Sequence, residues 1–235
     1  ELVAETVKSI DAAVAKGGMY VRTGMKKFDE VAGGLKNGEL WLLGGYSGSG
    51  KTFLALNIAY HVWFTTNEDV VWITREMTRE AMAVMFIARH SASLFPATSV
   101  DTRRLLEGTL DDEGKAVLAA SIADLKKREA PRKRWHVWEP PRNASMNTIA
   151  KQLESRRHRM SPRLVVIDYL AILAPIRDRR DGRGDIDDTL GAAKSFAKDW
   201  NDGRGLCLLS PHQINREGQK ECEKRKPTPH HIMSD

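Results

Sequence analysis

Gly45-Tyr46-Ser47-Gly48-Ser49-Gly50-Lys51-Thr52 is the stretch on which the reading of this chain turns. An apolar run, Leu40-Trp41-Leu42-Leu43, leads into it. Phe53 to Phe64 follows, with Leu54, Ile58 and Val62 on one helical face. A glycine-rich loop between a strand and a helix lets backbone N–H groups turn inward around phosphate oxygens. The helix start adds partial positive charge. The pattern G-x-x-x-x-G-K-[ST] in that setting predicts a triphosphate cradle made by Gly45, Tyr46, Ser47, Gly48, Ser49, Gly50, Lys51, Thr52 and Phe53. Lys51 is expected on the β- and γ-phosphates of ATP, and the Thr52 hydroxyl on Mg²⁺.

Outward from that loop, apolar runs alternate with helical patterns. Strands are expected at Leu40–Leu43, Val70–Thr74, Trp135–Trp138, Leu164–Ile167 and Leu206–Leu209. Helices are expected at Phe53–Phe64, at Thr78–His90 with Thr78 and Glu80 serving the first turn, at Met146–Arg159, and around Leu190, Ala193, Ala197 and Trp200. Residues 101–130 read as helical, charged and exposed. Continuous apolar strands separated by helices imply parallel crossovers, so the fold class is α/β with a mainly parallel central sheet flanked by helices. Arg177–Asp188, with four Arg and five Asp, reads as a mobile loop. Residues 1–17 read as a short amphipathic linker helix, with Val3, Val7, Ile10 and Val14 near helical spacing before Gly17-Gly18. Residues 18–235 read as the main domain.

Two carboxylates complete the expected chemistry. Asp168 emerges at the C-terminal end of Leu164–Ile167, the edge where open α/β sheets bind ligands, and is expected to organise Mg²⁺. The bland reading is a strand-terminal turn cap. Glu76 follows Val70–Thr74 and is expected to orient attacking water if that strand lies beside the phosphate-loop strand. The alternative is a helix-start Glu favoured by the dipole. Gln213 and His212, after Leu206–Leu209, are candidates to sense the γ-phosphate, against a purely structural loop. Lys51, Glu76 and Gln213 are therefore the catalytic candidates. Arg177, Arg179, Arg180, Arg183 and Arg216 are candidate nucleic-acid contacts, weighed equally against a solvated surface.

The net charge of +6 permits a polyanionic partner without demanding one. No apolar run is long enough to span a membrane, and the start lacks a signal-peptide pattern. The chain does not begin with Met, which reads as a fragment or a trimmed product. Cys207 sits in an apolar run as a buried thiol, and Cys222 in a charged loop. No disulfide framework is indicated, and a reducing cytoplasm fits. The spacing of Cys222, His230 and His231 matches no zinc pattern.

Several segments together resemble the RecA-like motor domain of DnaB-type replicative helicases. Thr23-Gly-Met-Lys-Lys-Phe-Asp29 and Gly34-Leu-Lys-Asn-Gly-Glu-Leu40 look like the family's approach to its first core strand. Gly50-Lys-Thr-Phe-Leu-Ala-Leu-Asn-Ile-Ala59 is similar to its phosphate loop and helix. Arg75-Glu-Met-Thr78 resembles the segment with its catalytic glutamate, Val166-Ile-Asp-Tyr-Leu170 its Mg²⁺-organising strand, and Gln213-Ile-Asn-Arg216 its γ-phosphate sensor. The resemblance implies a P-loop ATPase hydrolysing ATP at subunit interfaces of a ring, a hexamer around single-stranded DNA, and contact with primase or a loader through other regions. It implies a cytoplasmic, replisome-associated protein. Two departures stand out: Pro211-His212 separates Ser210 from Gln213, and Ala171 stands where Gln is common. The family continues beyond the equivalent of Asp235 into a DNA-gripping loop and an arginine finger, so this stretch alone is not expected to unwind DNA. Other readings are a RecA- or KaiC-like ATPase with a recombination or regulatory role, and an ATP-binding module without turnover.

Overall fold

The computed structural model describes residue 7 and residues 18–66, 68–128, 134–176 and 182–214, with only the backbone at 182, 183 and 202. The linker-helix segment therefore lies outside the described residues except Val7, which is helical and exposed. So do Arg177, Arg179, Arg180, Arg216, Cys222, His230 and His231.

The main sheet has strands β3 (Leu40–Gly45), β4 (Asp69–Thr74), β5 (Trp135–Trp138), β6 (Pro162–Asp168) and β7 (Cys207–Gln213). Their order across the sheet is β3-β7-β6-β4-β5, and every neighbouring pair is parallel. The helices are α1 (Lys26–Ala32), α2 (Lys51–Thr65), α3 (Arg79–Leu94), α4 (Thr102–Glu107), α5 (Asp112–Arg128), α6 (Met146–Ser155) and α7 (Gly182–Gly203). A small antiparallel pair, β1 (Tyr20–Val21) with β2 (Leu35–Lys36), precedes the sheet.

Successive strand residues point to opposite faces, and both faces are covered. Val70, Trp72, Leu164, Val166 and Leu209 join Leu56, Trp63 and Phe86 of α2 and α3 in one core. Val71, Ile73, Val165, Ile167 and Leu208 join Ile149, Leu153, Ala193 and Trp200 of α6 and α7 in the other. The two-sided burial explains why these strands are apolar without alternation. Outside the sheet, α4 has no buried residue and α5 buries only Val117 and Ser121, as its charged sequence implies.

Buried carboxylates fix two loops. Asp29 accepts from Thr23 N, Thr23 Oγ1 and Gly24 N at 2.8–3.1 Å, bracing the turn before α1. Asp69 accepts from Arg134 N at 3.0 Å and Ser161 N at 2.8 Å, tying the starts of β4, β5 and β6 together.

Three expectations need correcting. Residues 182–188 are not loop but the first turns of α7. Asp185 lies in the first turn, where negative charge favours the helix dipole, and Thr189 Oγ1 donates to Asp185 O at 2.9 Å. The helix starting at Met146 ends at Ser155, with turns at 156–159. The last strand does not stop at Leu209 but runs to Gln213, so the segment read as a loop continues the sheet.

Candidate active site

The phosphate-loop geometry follows from its glycines. Gly48 (φ 72°) and Gly50 (φ 84°) occupy left-handed backbone conformations that only glycine adopts cheaply, and this bends the chain into a concave loop. At Gly45 the loop closes on itself: an added Cβ would meet Ser49 Oγ at 2.7 Å and Lys51 Cγ at 3.1 Å. Lys51 Nζ donates to Tyr46 O at 2.6 Å, which folds the ammonium over the loop. Lys51 then opens α2.

A cleft of about 230 Å³ lies at this loop, lined by Ser47, Gly48, Gly50, Lys51, Thr52, Phe53, Glu76, Asp168, Tyr169, Pro211 and Gln213. Four separate segments thus meet at the C-terminal edge of the sheet. Lys51, Thr52, Glu76, Asp168 and Gln213, expected from sequence to act together, share the cleft wall. Gly45, Tyr46 and Ser49 shape the loop from behind. Phe53 is 55% exposed and presents its ring at the cleft. Tyr169 and Pro211 were not among the expected residues; the only sequence signal for Tyr169 is its place directly after Asp168.

Glu76 reaches this cleft by a different route from the one expected. β4 is not beside β3: β7 and β6 lie between them. Three strand spacings separate β4 from β3, about 14 Å. The gap is bridged from the other side, because α2 packs across β6 and β7 and carries its N-terminus over the sheet. Glu76 itself lies past the end of β4 in a braced turn. Thr74 Oγ1 donates to Met77 O at 2.9 Å and accepts from Met77 N at 3.1 Å. Arg75 N donates to Asp168 O at 3.3 Å, and Arg75 Nη1 to Pro141 O at 2.6 Å. The Glu76 carboxylate stays exposed.

Asp168 is paired in register with Thr74 and is 2% exposed. Burial pushes its carboxyl above the ordinary value. The Thr52 side chain and the Lys51 charge oppose that shift, and Glu76 adds to it. Its Oδ2 is buried with no hydrogen-bond partner. A buried, unpartnered carboxylate oxygen beside a threonine hydroxyl fits Mg²⁺, a hard cation that takes few protein oxygens and completes its shell with phosphates and water. Among the described residues, no group of three His, Cys, Asp or Glu forms a denser metal site.

On β7, alternate residues face opposite ways. Gln213 is exposed at the cleft, in register with Gly45. His212, in register with Gly44, is half-buried and does not line the cleft, and its Nδ1 is buried without a partner. Burial and the Lys51 charge hold its imidazole below the usual histidine range. Arg183 lies in the first turn of α7, with its side chain outside the described atoms. Cys207 is fully buried, and burial raises its thiol far above the usual range. No helix among the described residues is long and apolar enough to cross a membrane.

With this geometry in place, comparison with known proteins is direct. The DnaB-like helicase C terminal domain family matches residues 20–235. A replicative DNA helicase DnaB from Leifsonia xyli subsp. xyli is 22% identical over 226 residues, covering 95% of this chain and 46% of its own length. One from Geobacillus stearothermophilus is 19% identical over 206 residues, covering 87% of this chain and 42% of its own length. The chain spans about half the length of the curated relatives it matches. Among solved structures, an isolated ATPase domain superposes with a TM-score of 0.75 at 18% identity, over 98% of this chain and 77% of that one. The structure of a DnaB-like replicative helicase and its interactions with primase gives a TM-score of 0.73 at 18% identity, over 91% of this chain and 48% of that one. At such identity these likenesses establish the fold, a RecA-like α/β ATPase architecture. The extent of the family match decides the identity: this chain belongs to the DnaB-like helicase C-terminal domain family.

Proposed function

We propose that this chain is the ATP-hydrolysing motor of a DnaB-type helicase, working in a ring on single-stranded DNA. The observation that carries the reading is the convergence of Lys51, Thr52, Glu76, Asp168 and Gln213 on one cleft at the sheet's C-terminal edge. ATP would lie with its phosphates in the loop of Gly45 to Thr52. Lys51 would exchange the Tyr46 carbonyl for the β- and γ-phosphates. Thr52 and Asp168 would hold Mg²⁺, which supplies charge neutralisation to the phosphates. Glu76, exposed and past the strand end, would orient the attacking water, and Gln213 would contact the γ-phosphate. Phe53 would offer an apolar surface to the nucleoside.

Family membership supports the remaining parts of the reading. These are a hexameric ring with residues 1–17 as a linker, DNA contacts from Arg177, Arg179, Arg180, Arg183 and Arg216, contact with primase or a loader, and work at the replisome in the cytoplasm.

The experiment is ATP hydrolysis with and without single-stranded DNA, in the parent and in Glu76→Gln and Lys51→Ala. Glu76→Gln is expected to bind ATP normally and to lose about 100-fold or more in turnover. Lys51→Ala is expected to weaken ATP binding by about tenfold or more. Near-normal turnover in Glu76→Gln sinks the role given to Glu76. Turnover indifferent to DNA favours a signalling or regulatory ATPase ring instead.

A further inference from the structure

We infer that Ser210 is a positioning residue for the metal-binding carboxylate, an inference that rests on the Mg²⁺–ATP reading above. The β6–β7 pairing has its last in-register pair at Val166 and Leu209. Two residues further on, Pro211 has no N–H to give. Leu208 N and Ile214 N donate to β3, at Glu39 O and Gly45 O, so alternation turns residues 209 and 211 toward β6. A proline is tolerated here because the ladder ends on that side.

Ser210 fills the gap with its side chain. Its hydroxyl, on a residue 1% exposed, donates to Ile167 O at 2.7 Å and accepts from Leu170 N at 3.2 Å. Pro211 O, at 3.1 Å, is the longer alternative acceptor. The two main bonds straddle Asp168 and Tyr169. Across the strand, Arg75 N holds Asp168 O at 3.3 Å. The backbone that aims Asp168 is thus clamped from β7 by one hydroxyl and from the Glu76 turn by one amide. Further along β7, Pro211 and Gln213 line the same cleft. Removing the hydroxyl leaves the loop of Gly45 to Lys51 intact, yet frees the turn that points Asp168 at the cation.

The distinguishing measurement is the affinity of a non-hydrolysable ATP analogue, with Mg²⁺ and with EDTA, for the parent chain and Ser210→Ala, with a thermal melt of each. The parent is expected to bind more tightly with Mg²⁺. In Ser210→Ala the Mg²⁺-dependent gain is expected to fall by about tenfold, the cost of one well-placed buried hydrogen bond. Affinity in EDTA stays at the parent value, which a general loss of structure would not allow. A Mg²⁺-dependent gain equal to the parent's overturns the inference. If Ser210→Ala does not fold, Ser210→Cys, of similar shape but a poor donor, carries the same test with the same two outcomes. A parent whose analogue binding ignores Mg²⁺ overturns the Mg²⁺–ATP reading itself, and this inference with it. A parent with the Mg²⁺ gain and an unaltered Ser210 variant overturns this inference alone.

Discussion

Asp168 and Asp69 are both almost wholly buried, yet their environments push them in opposite directions. At Asp69, burial would raise the carboxyl, but His136 and the Ser161 and Arg134 amides outweigh it and the net shift is downward. At Asp168, burial dominates and the carboxyl is raised. The linkage signs therefore differ. A raised folded value means that the folded state binds the proton more tightly, so the Asp168 contribution to stability declines as pH rises from the ordinary value of 3.8 through the raised one. At neutral pH the ionised Asp168 burdens the metal-free fold. Asp168→Asn is accordingly expected to raise the melting temperature of the nucleotide-free chain while abolishing the Mg²⁺-dependent gain in ATP binding. Thermal melts paired with nucleotide titrations check both halves, and a lowered melting temperature contradicts the account. Such opposition between function and stability is the mark of a carboxylate kept for a cation.

At the scale of elements, Glu76 depends on how α3 begins. Thr78 caps the helix, accepting from Ala81 N at 3.2 Å, and Glu80 stands in the first turn. Thr78→Ala is expected to cost about 1 kcal/mol, seen as a fall of about 2–4 °C in melting temperature for a chain of this size. ATP affinity should remain unchanged, because the phosphate loop lies on another element. This cap was legible from Thr78 and Glu80 alone, as were the five strands from their apolar runs. Three features were not legible, each for a physical reason. Proline at 211 argues against a strand, unless the ladder on its N–H side has ended, and that is a fact about β6. The seven residues 182–188 are too polar for a periodic signal. Their helix is secured by the dipole, by the Thr189 hydroxyl and by continuity with the buried stripe at Ala193, Ala197 and Trp200. The neighbours of β3 are a matter of sheet order, which no local pattern encodes. The residues of the cleft could be named from their motifs, but the route by which Glu76 arrives could not.

For the molecule as a whole, Asp69 is the tie at the end of the sheet opposite the cleft. It accepts from the segments that start β5 and β6, with His136 Nε2 at 3.4 Å. Its lowered carboxyl gives stability that is full above the ordinary value of 3.8 and is lost as pH falls through the folded value. Asp69→Asn is expected to destabilise the chain by about 1–3 kcal/mol at neutral pH, since one amide loses its acceptor. The gap from the parent should close as pH drops below the carboxylate range. Urea unfolding at neutral and at acid pH measures this, and a gap that persists in acid contradicts it.

The strand order also has a consequence in time. β3 carries the phosphate loop, yet within the sheet its one neighbour is β7, which lies more than 160 residues later at Cys207–Gln213. A ribosome therefore releases the loop early and its supporting strand last of the five. Until Cys207–Gln213 has emerged, β4, β5 and β6 can form a three-stranded nucleus, while Leu40–Gly45 waits with apolar side chains and an unpaired backbone. The nascent chain holds an aggregation-prone edge throughout that interval. It gains the ability to grip a nucleotide only when β7 joins, so ATP binding reports completion of the sheet.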